Sequence, residues 1–396
     1  MLRRFSVKNF YSIYEKLEFS LLLTGAQQAD NRITQGVEGD NISKIMLIAG
    51  HNASGKTNIL KVLSFLPWFM LHSFHQLQPK EAIPLEPHFG AVDEPSEFEL
   101  EFEHQQQIWR YQLILTKERV LHESLHRKGY RFAYVFTRDW ISDKQAYEIK
   151  VKKELGFALA EAEKTRQNCS LISTAAQYGV PLALGLLEMT VQTNLNALGR
   201  RRFGGVQQLL TASQFYNQNT QELQKMSTML AEWDLGLQSV LIEKQEKTNK
   251  DNEKETTYVP YGVHSLNGQE HVLELWKESS GTRSAFVLLS LVLPVLNKGG
   301  LVVIDELESD LHPHMLDAVL ELFLSPSKNP YNAQIIFSTH SHDQMGLLRK
   351  EQIMLVEKDE QLNTWAYTLG EVAGVRTDDN FYAKYMSGAY GGVPEI

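Results

Sequence analysis

The chain has 396 residues, 43% of them hydrophobic and 22% charged, which is long enough for a large core and two or so lobes. A formal net charge of −9 disfavours a surface that binds nucleic acid throughout, although it permits a local basic groove. There is no run of about 18 apolar residues to span a bilayer, and no apolar stretch typical of a secretory signal near the start. The single cysteine, Cys169, excludes an internal disulfide and a multi-cysteine metal site. We therefore expect a cytoplasmic protein that does not enter a membrane.

The most specific motif begins at Gly50. The segment Gly50-His51-Asn52-Ala53-Ser54-Gly55-Lys56-Thr57 matches G-x-x-x-x-G-K-[ST] in full, between a predicted buried strand over 44–49 and a helical apolar pattern from Asn58 onwards. In this context the pattern predicts a phosphate loop, in which backbone N–H groups wrap the phosphates at a helix N-terminus. Lys56 would reach the β- and γ-phosphates, and the Thr57 hydroxyl would ligate Mg²⁺. The predicted ATP-binding residues of this loop are Gly50, Asn52, Ser54, Gly55, Lys56, Thr57 and Asn58.

The middle of the chain, from residue 146 to about 245, has helical periodicity. Apolar residues recur at helical spacing around Leu155 and again between Leu223 and Trp233. Glycines and Pro181 interrupt the pattern, so the segment lacks the long heptad repeat of a coiled-coil arm. We predict a compact helical lobe here. Residues 246–255 are mostly charged without an apolar face, which predicts a linker.

Two features in the chain allow more than one interpretation. The run Arg200-Arg201-Arg202 before Phe203 could grip a phosphate backbone, but consecutive arginines are also typical of a solvated loop, so nucleic-acid binding stays possible. Histidines at 312, 314, 340 and 342 could suggest a metal hydrolase. Residues two apart do not share a helix face, which disfavours a histidine-bound metal.

A helix start rich in small residues lies at 279–282, before the apolar helical run over 284–293. Ser279, Ser280, Gly281 and Thr282 predict an anion-binding helix N-terminus, although the same sequence is also a normal helix cap.

An apolar strand over 301–304 follows this helix and ends in two acids, Asp305 and Glu306. Next to a phosphate loop, this pattern predicts that Asp305 holds the Mg²⁺ shell and that Glu306 orients and polarises the attacking water. An edge strand ending in solvated acids would have a similar sequence, but the phosphate loop favours the nucleotide-site interpretation.

In their order along the chain, these motifs resemble the ABC/SMC-like ATPases, and specifically the abortive-infection and OLD-like AAA-type ATPases. The opening segment 5–13, the segments 94–102 and 109–115, and the tail 376–394 also resemble this group. The resemblance implies an α/β P-loop NTPase fold, an ABC-type ATPase head with a mixed sheet flanked by helices and an antiparallel hairpin, interrupted by the compact helical insertion. The implied domains are the N-terminal half of the head (1–145), the insertion (146–245), the charged linker (246–255) and the C-terminal half (256–396).

The resemblance also assigns roles to residues that the motifs alone leave open. Residues 309–313 resemble a D-loop, and His340, at the end of the strand predicted over 334–340, resembles the switch histidine that contacts the γ-phosphate. The implied catalytic residues are therefore Glu306 and His340. Ser279, Ser280, Gly281 and Thr282 resemble the signature motif, which binds the γ-phosphate of the ATP held by the opposite subunit. Two features differ from the family pattern: Glu278 stands at the usual leucine position of the signature, and no glutamine is assigned to the Q-loop.

The motifs predict a Mg²⁺-dependent ATPase, and the resemblance implies that it pairs head to head through ATP. The resemblance implies a bacterial anti-phage role, in which the chain senses infection or controls a separate effector such as a nuclease. Two alternatives stay open. One is an ATP-clamped scaffold with negligible turnover that holds an effector, and the other is a DNA-repair ATPase of the recombination-mediator type, whose turnover DNA would stimulate.

Overall fold

The structure is a computed structural model that describes residues 1–23, 30–195, 205–233, 236–248 and 254–393. In these ranges the strands are, in chain order, β1 (Leu2–Lys8), β2 (Leu17–Ser20), β3 (Leu22–Leu23), β4 (Ile33–Gln35), β5 (Asn41–Ser43), β6 (Ile45–Ala49), β7 (Ser96–His104), β8 (Gln107–Leu115), β9 (Val120–Lys128), β10 (Phe132–Ile141), β11 (Ala146–Val151), β12 (Val191–Thr193), β13 (Ser239–Thr248), β14 (Lys254–Leu266), β15 (Gln269–Glu274), β16 (Leu301–Ile304), β17 (Gln334–Ser338), β18 (Ile353–Lys358) and β19 (Thr364–Thr368). The α-helices are α1 (Lys56–Gln76), α2 (Leu159–Ala162), α3 (Leu171–Gln177), α4 (Pro181–Leu187), α5 (Val206–Gln218), α6 (Thr220–Glu232), α7 (Ser280–Lys298), α8 (Pro313–Leu324) and α9 (Phe381–Met386).

A six-stranded sheet at the centre has the order β12-β16-β17-β6-β18-β19. Its neighbouring strands are parallel except for β19, which is antiparallel to β18. Every residue of β6, β16 and β17 is buried, as expected for strands covered on both faces. Because these three strands are parallel neighbours, their carboxyl ends lie along one edge, where the phosphate loop, Asp305 and the His340 segment all begin.

The alternation of side chains along the central strands divides the interior into two cores. Met46 and Ile48 belong to the first core, whereas Ile45 and Leu47 belong to the second. The first core contains α1 and the inner face of the antiparallel sheet. The second contains α7 and α8, which cover the opposite face of the central sheet.

The antiparallel sheet has seven strands in the order β11-β10-β9-β8-β7-β1-β2. It contains the predicted opening strand, now β1, and the predicted hairpin, now β7 and β8, so both predictions are confirmed. Phe65 of α1 contacts Phe98 of β7, with ring centroids 5.3 Å apart. The helix that follows the phosphate loop is thus packed between the two sheets. Two three-stranded sheets, β13-β14-β15 and β3-β5-β4, complete the strand pairing in the described ranges.

The middle of the chain does not form the separate helical lobe that its sequence predicts. β11 is an edge strand of the antiparallel sheet, and β12 pairs in parallel with β16 of the central sheet. α3 and α4 contribute to the first core, and α5 and α6 to the second. Helical periodicity indicates that a helix has an apolar face but not which surface covers it. The predicted boundaries near residues 145 and 245 therefore fall between two paired strands and within β13.

The predicted charged linker also differs from the structure. Residues 246–248 belong to β13 and residues 254–255 to β14, while residues 249–253 lie outside the described ranges. β13 pairs with β14 along its length, and Lys244 forms a 2.7 Å ion pair with Glu246 on the exposed surface. Val240 of β13 is buried in the second core, but the charged end of the strand from Glu243 onwards is held by pairing with β14, so composition alone does not predict the strands.

One helix in the described ranges, α7, is long and apolar enough to cross a membrane by length and composition. In the protein, 61% of its apolar window is buried, as in the core helix of a folded domain. Tyr216 of α5 donates a 3.0 Å hydrogen bond to the carbonyl of Phe286, which fixes α7 within the second core.

Candidate nucleotide-binding site

The phosphate loop connects β6 to α1, as the sequence predicts. Gly55 caps α1 with φ 116°, and a Cβ atom there would lie 2.1 Å from Thr364 Oγ1. A Cβ atom on Gly50 would lie 2.3 Å from the carbonyl oxygen of Val356. Both motif glycines are therefore required by the close approach of β18 and β19 to the loop.

Lys56 lies inside the loop and is 7% exposed. Its ammonium donates hydrogen bonds to the carbonyl oxygens of Gly50 at 2.8 Å and His51 at 3.1 Å. Burial lowers the pKa of Lys56, and the carboxylate of Asp305 acts in the opposite direction. Ser54 Oγ is also buried, and it has no hydrogen-bond partner in the described residues. A cation and an unpaired hydroxyl in a glycine-rich loop at a helix N-terminus fit a bound polyphosphate.

Asp305 is fixed by two hydroxyl groups. Its Oδ2 atom accepts a 2.9 Å hydrogen bond from Thr57 Oγ1, and its Oδ1 atom accepts a 2.7 Å bond from Ser338 Oγ. The carboxylate is 3% exposed, and burying an acid is costly unless it is paired in this way. A hydroxyl and a carboxylate oxygen are ligands that Mg²⁺ prefers, so Thr57 and Asp305 fit the predicted metal.

Asn194, which no motif identifies, holds the backbone of Asp305. Its Nδ2 atom donates to the carbonyl of Asp305 at 2.8 Å, and its Oδ1 atom accepts from the Asp305 N–H at 2.9 Å. Asn194 follows β12. Because β12 pairs in parallel with β16, the Asn194 side chain lies beside the end of β16. Ser338 is a second functional neighbour that motif matching does not identify, because a serine at a strand end has no distinctive pattern.

Glu306 and His340 both line the entrance of the cavity next to the phosphate loop. Both line a cavity of about 340 Å³, together with residues 52–58, Asp305 and Lys358. Glu306 has φ 50°, a left-handed conformation that non-glycine residues adopt rarely, and its N–H donates to Ser338 Oγ at 2.8 Å. The N–H of His340 donates to the Glu308 carboxylate at 2.9 Å. The structure thus brings the predicted metal and catalytic residues, and all the predicted phosphate-loop residues except Gly50, to one cavity.

A hydroxyl network supports the far side of the phosphate loop. Asn58 Nδ2 donates to Ser12 Oγ at 2.7 Å, and Ser12 Oγ lies 2.6 Å from Thr364 Oγ1. Thr364 Oγ1 in turn lies 3.1 Å from the carbonyl oxygen of Ser54, to which it donates. The Asn58 side chain therefore ties the start of α1 to the segment after β1, in addition to lining the cavity.

The signature residues do not line the cavity that the described phosphate loop forms. Ser279 caps α7, where its side chain accepts a 3.1 Å hydrogen bond from the N–H of Thr282, and Thr282 is buried. A Cβ atom on Gly281 would lie 2.9 Å from the carbonyl oxygen of Asp310, so the predicted signature and D-loop segments are in contact. Ser279 and Ser280 are exposed at this surface.

Glu278, the residue that departs from the signature pattern, is paired with His264 of β14 at 2.7 Å. The other ring nitrogen of His264 lies 2.8 Å from the carbonyl oxygen of Gly236. Both acceptors require an N–H on the ring, which favours the protonated imidazolium. The hydrogen bond to Glu278 accordingly raises the pKa of His264.

A family model described as "AAA domain, putative AbiEii toxin, Type IV TA system" matches residues 45–343, which include the phosphate loop, Asp305 and His340. The chain belongs to this AAA family. The resemblance to AAA-type ATPases of the abortive-infection group is thereby confirmed, and so is the α/β fold with a phosphate loop.

Among solved structures, the AAA chain is similar to a crystal structure of the SmcHead bound to the C-winged helix domain of ScpA, with 12% identity, a TM-score of 0.48, and coverage of 93% of this chain and 97% of that one. It is also similar to the SMC head domain from Thermotoga maritima, with 13% identity, a TM-score of 0.42, and coverage of 93% and 98%. A search of curated proteins gave no match.

The two features with open interpretations have different outcomes. Arg200, Arg201 and Arg202 lie outside the described residues. The His312 and His314 rings stack with centroids 5.2 Å apart, and no group of three or more His, Cys, Asp or Glu residues in the described ranges could hold a metal ion.

Proposed function

We propose that this AAA protein binds Mg²⁺-ATP at the phosphate loop and hydrolyses it. The observation that carries the proposal is the Thr57–Asp305 hydrogen bond beneath a loop that contains a buried cation and an unpaired hydroxyl. Each of these groups matches a separate part of a nucleoside triphosphate and its metal ion. A chance glycine-rich turn would not bring them together.

Each side chain of the site has a task in this proposal. The Lys56 ammonium exchanges its carbonyl partners for phosphate oxygens and neutralises their charge. Thr57 and Asp305 would hold Mg²⁺, which would withdraw charge from the phosphates. Glu306, one residue beyond Asp305, orients and polarises the attacking water as general base. His340 donates to the γ-phosphate from the mouth of the cavity.

Hydrolysis in this proposal requires a second copy of the chain. Ser279, Ser280, Gly281 and Thr282 are placed at a helix N-terminus on a surface separate from their own phosphate cavity, which suits contact with the ATP of a partner subunit. ATP binding would then order the interface, and hydrolysis would release it.

The biological role that we propose is regulation of an abortive-infection system inside the bacterial cytoplasm. The support is the family description, which names a toxin and a type IV toxin–antitoxin system. In this role the ATPase senses infection or restrains a separate effector, such as a nuclease. A fold supports many functions, so this part rests on the family and not on the site.

Calorimetry with Mg²⁺-ATP, together with measurement of phosphate release, tests the nucleotide site. Lys56→Ala should lose most ATP affinity and all turnover, because Lys56 is the only side-chain cation of the motif. Lys164→Ala is the control, since Lys164 pairs with Glu161 on the surface away from the cavity. Wild-type ATP binding by Lys56→Ala would contradict the placement of the site. Tight binding by the wild-type protein without turnover would favour the ATP-clamped scaffold.

Expression in bacteria tests the regulatory role. The chain expressed alone should leave growth unchanged, whereas coexpression with the adjacent gene should protect cells from phage, and Lys56→Ala should abolish the protection. Growth arrest by the chain alone would identify it as the toxin itself. Turnover stimulated by added DNA would favour the DNA-repair alternative.

A further inference from the structure

The C-terminal segment, residues 379–393, packs against the loop that carries the predicted switch histidine. The Tyr385 ring of α9 contacts the His342 ring edge to face, with centroids 4.6 Å apart. His342 lies two residues after His340, and the His340 and His342 rings are 6.5 Å apart. An aromatic contact of this geometry restricts both rings because each has few rotamers.

Hydrogen bonds that involve Tyr385 and Glu357 hold the C-terminal segment against the central sheet. Tyr385 OH donates a 2.8 Å hydrogen bond to the carbonyl of Gly392, and the Gly392 N–H donates to Glu357 Oε1. Tyr367 OH lies 3.0 Å from the same Glu357 oxygen and 2.9 Å from the carbonyl oxygen of Tyr390. Tyr385 is 2% exposed, so its ring has little freedom to move while the segment is docked.

The strand that binds the C-terminal segment, β18, also contacts the phosphate loop. Glu357 follows Val356 on β18, and the Val356 carbonyl oxygen is the atom that approaches Gly50 so closely. A second cavity of about 590 Å³ lies between the phosphate loop and the C-terminal segment. It is lined by residues 50–52, by residues 340–343, and by Tyr382 and Tyr385 of α9. The phosphate loop, residues 340–343 and α9 therefore line one cavity.

His342 depends on this packing for its orientation. Its Nδ1 atom is buried without a hydrogen-bond partner in the described residues, so no bond at that nitrogen fixes the ring. Burial lowers the pKa of His342 to about 4, with His340 and Lys56 acting in the same direction, so the imidazole is neutral. The Tyr385 ring packs against His342 and therefore restricts its orientation.

We propose that Tyr385 is a positioning residue that acts through His342 to hold His340 at the mouth of the phosphate site, so that docking of the C-terminal segment sets the rate of ATP hydrolysis. The proposal rests on the proposed ATPase function. It assigns the segment after β19 a regulatory role that the nucleotide-site motifs do not include.

Steady-state kinetics separates positioning from folding. Tyr385→Leu should lower kcat about tenfold or more with ATP affinity unchanged, because a catalytic group misplaced by about 1 Å can cost ~10²-fold in rate. Tyr385→Phe keeps the ring and should restore most of kcat. Ala383→Leu is the control, since Ala383 lies on the same helix, is exposed and does not line the cavity, so kcat should be unchanged. Equal loss in Tyr385→Leu and Ala383→Leu would overturn the proposal.

A double-mutant cycle tests whether the effect passes through His340. In a His340→Ala background, Tyr385→Leu should have no further effect on kcat, because the group that it positions is absent. The same loss in both backgrounds would overturn the proposal.

Histidine NMR gives a readout that does not depend on turnover. Tyr385→Leu should move the titration of His342 from about 4 towards 6.5, since the ring becomes solvated. An unchanged His342 pKa in Tyr385→Leu would overturn the proposed role of Tyr385 but would leave the proposed ATPase function intact. A wild-type protein without ATP turnover would instead contradict the proposed ATPase function.

Discussion

Thr57 Oγ1 donates a 2.9 Å hydrogen bond to Asp305 Oδ2, although the two residues are 248 positions apart in the chain. The contact forms because β6 and β16 both border β17 and end at the same edge of the central sheet. Neither half of the chain contains a whole site. The proposed nucleotide binding would therefore require folding of the complete sheet.

Removal of the Thr57 hydroxyl should uncouple Mg²⁺ from ATP binding. Thr57→Val keeps the shape of the side chain but leaves Asp305 Oδ2 without its donor, so ATP affinity should fall and become insensitive to Mg²⁺. Thr57→Ser restores the hydroxyl and should recover the Mg²⁺ dependence. Calorimetry with and without Mg²⁺ measures the ATP affinity of both variants. An ATP affinity of Thr57→Val that still depends on Mg²⁺ would contradict the assignment of Thr57 as a metal ligand.

Ser280→Arg should separate ATP binding from pairing. Ser280 is exposed at the start of α7, so a bulky cation there leaves the phosphate loop intact but obstructs a partner's nucleotide. We expect normal ATP affinity, no hydrolysis and no ATP-dependent association on a sizing column. Ser327→Arg, on an exposed loop after α8, is the control. Lost ATP affinity with unchanged association would show that residues 279–282 are only a helix cap.

The pair of His264 and Glu278 should make the signature region sensitive to pH. Pairing raises the pKa of His264 above its ordinary value, so its stabilisation is fully present below that value and is lost as pH rises through the raised one. Urea unfolding at about pH 6 and about pH 9 should show a larger loss of stability for the wild-type protein than for His264→Gln. An identical pH dependence in both proteins would exclude the charged pair.

The sequence predicts the chemistry of the site better than the arrangement around it. The phosphate loop and the acidic strand end are local patterns with a fixed mechanism, and the structure places Lys56, Asp305 and Glu306 in one cavity. Asn194 could not be predicted, because its role depends on β12 joining the sheet beside β16. For the same reason the sequence predicts that the middle helices pack against one another, whereas in the structure they pack against the two sheets.

Asn194→Ala should weaken both the fold and the site. The substitution leaves the N–H and the carbonyl of Asp305 unpaired, and a buried unpaired group costs about 1–3 kcal/mol. Denaturant unfolding should show a loss of this size, and ATP turnover should fall further than ATP affinity. Asn297→Ala is a matched control, since that side chain also makes two hydrogen bonds but lies on the surface between α6 and α7. Equal losses of ATP turnover in Asn194→Ala and Asn297→Ala would contradict the role of Asn194 at the site.

The most direct test of the ATPase proposal is the turnover of Glu306→Gln at saturating Mg²⁺-ATP, with ATP affinity measured on the same protein. Glu306 lines the cavity beside Asp305, and in the proposed mechanism it holds neither phosphate nor metal. ATP affinity should stay near the wild-type value, while hydrolysis falls about 10²-fold or more, the usual cost of losing a general base. The ATP-bound pair of subunits should accumulate. Hydrolysis at the wild-type rate by Glu306→Gln would contradict the mechanism.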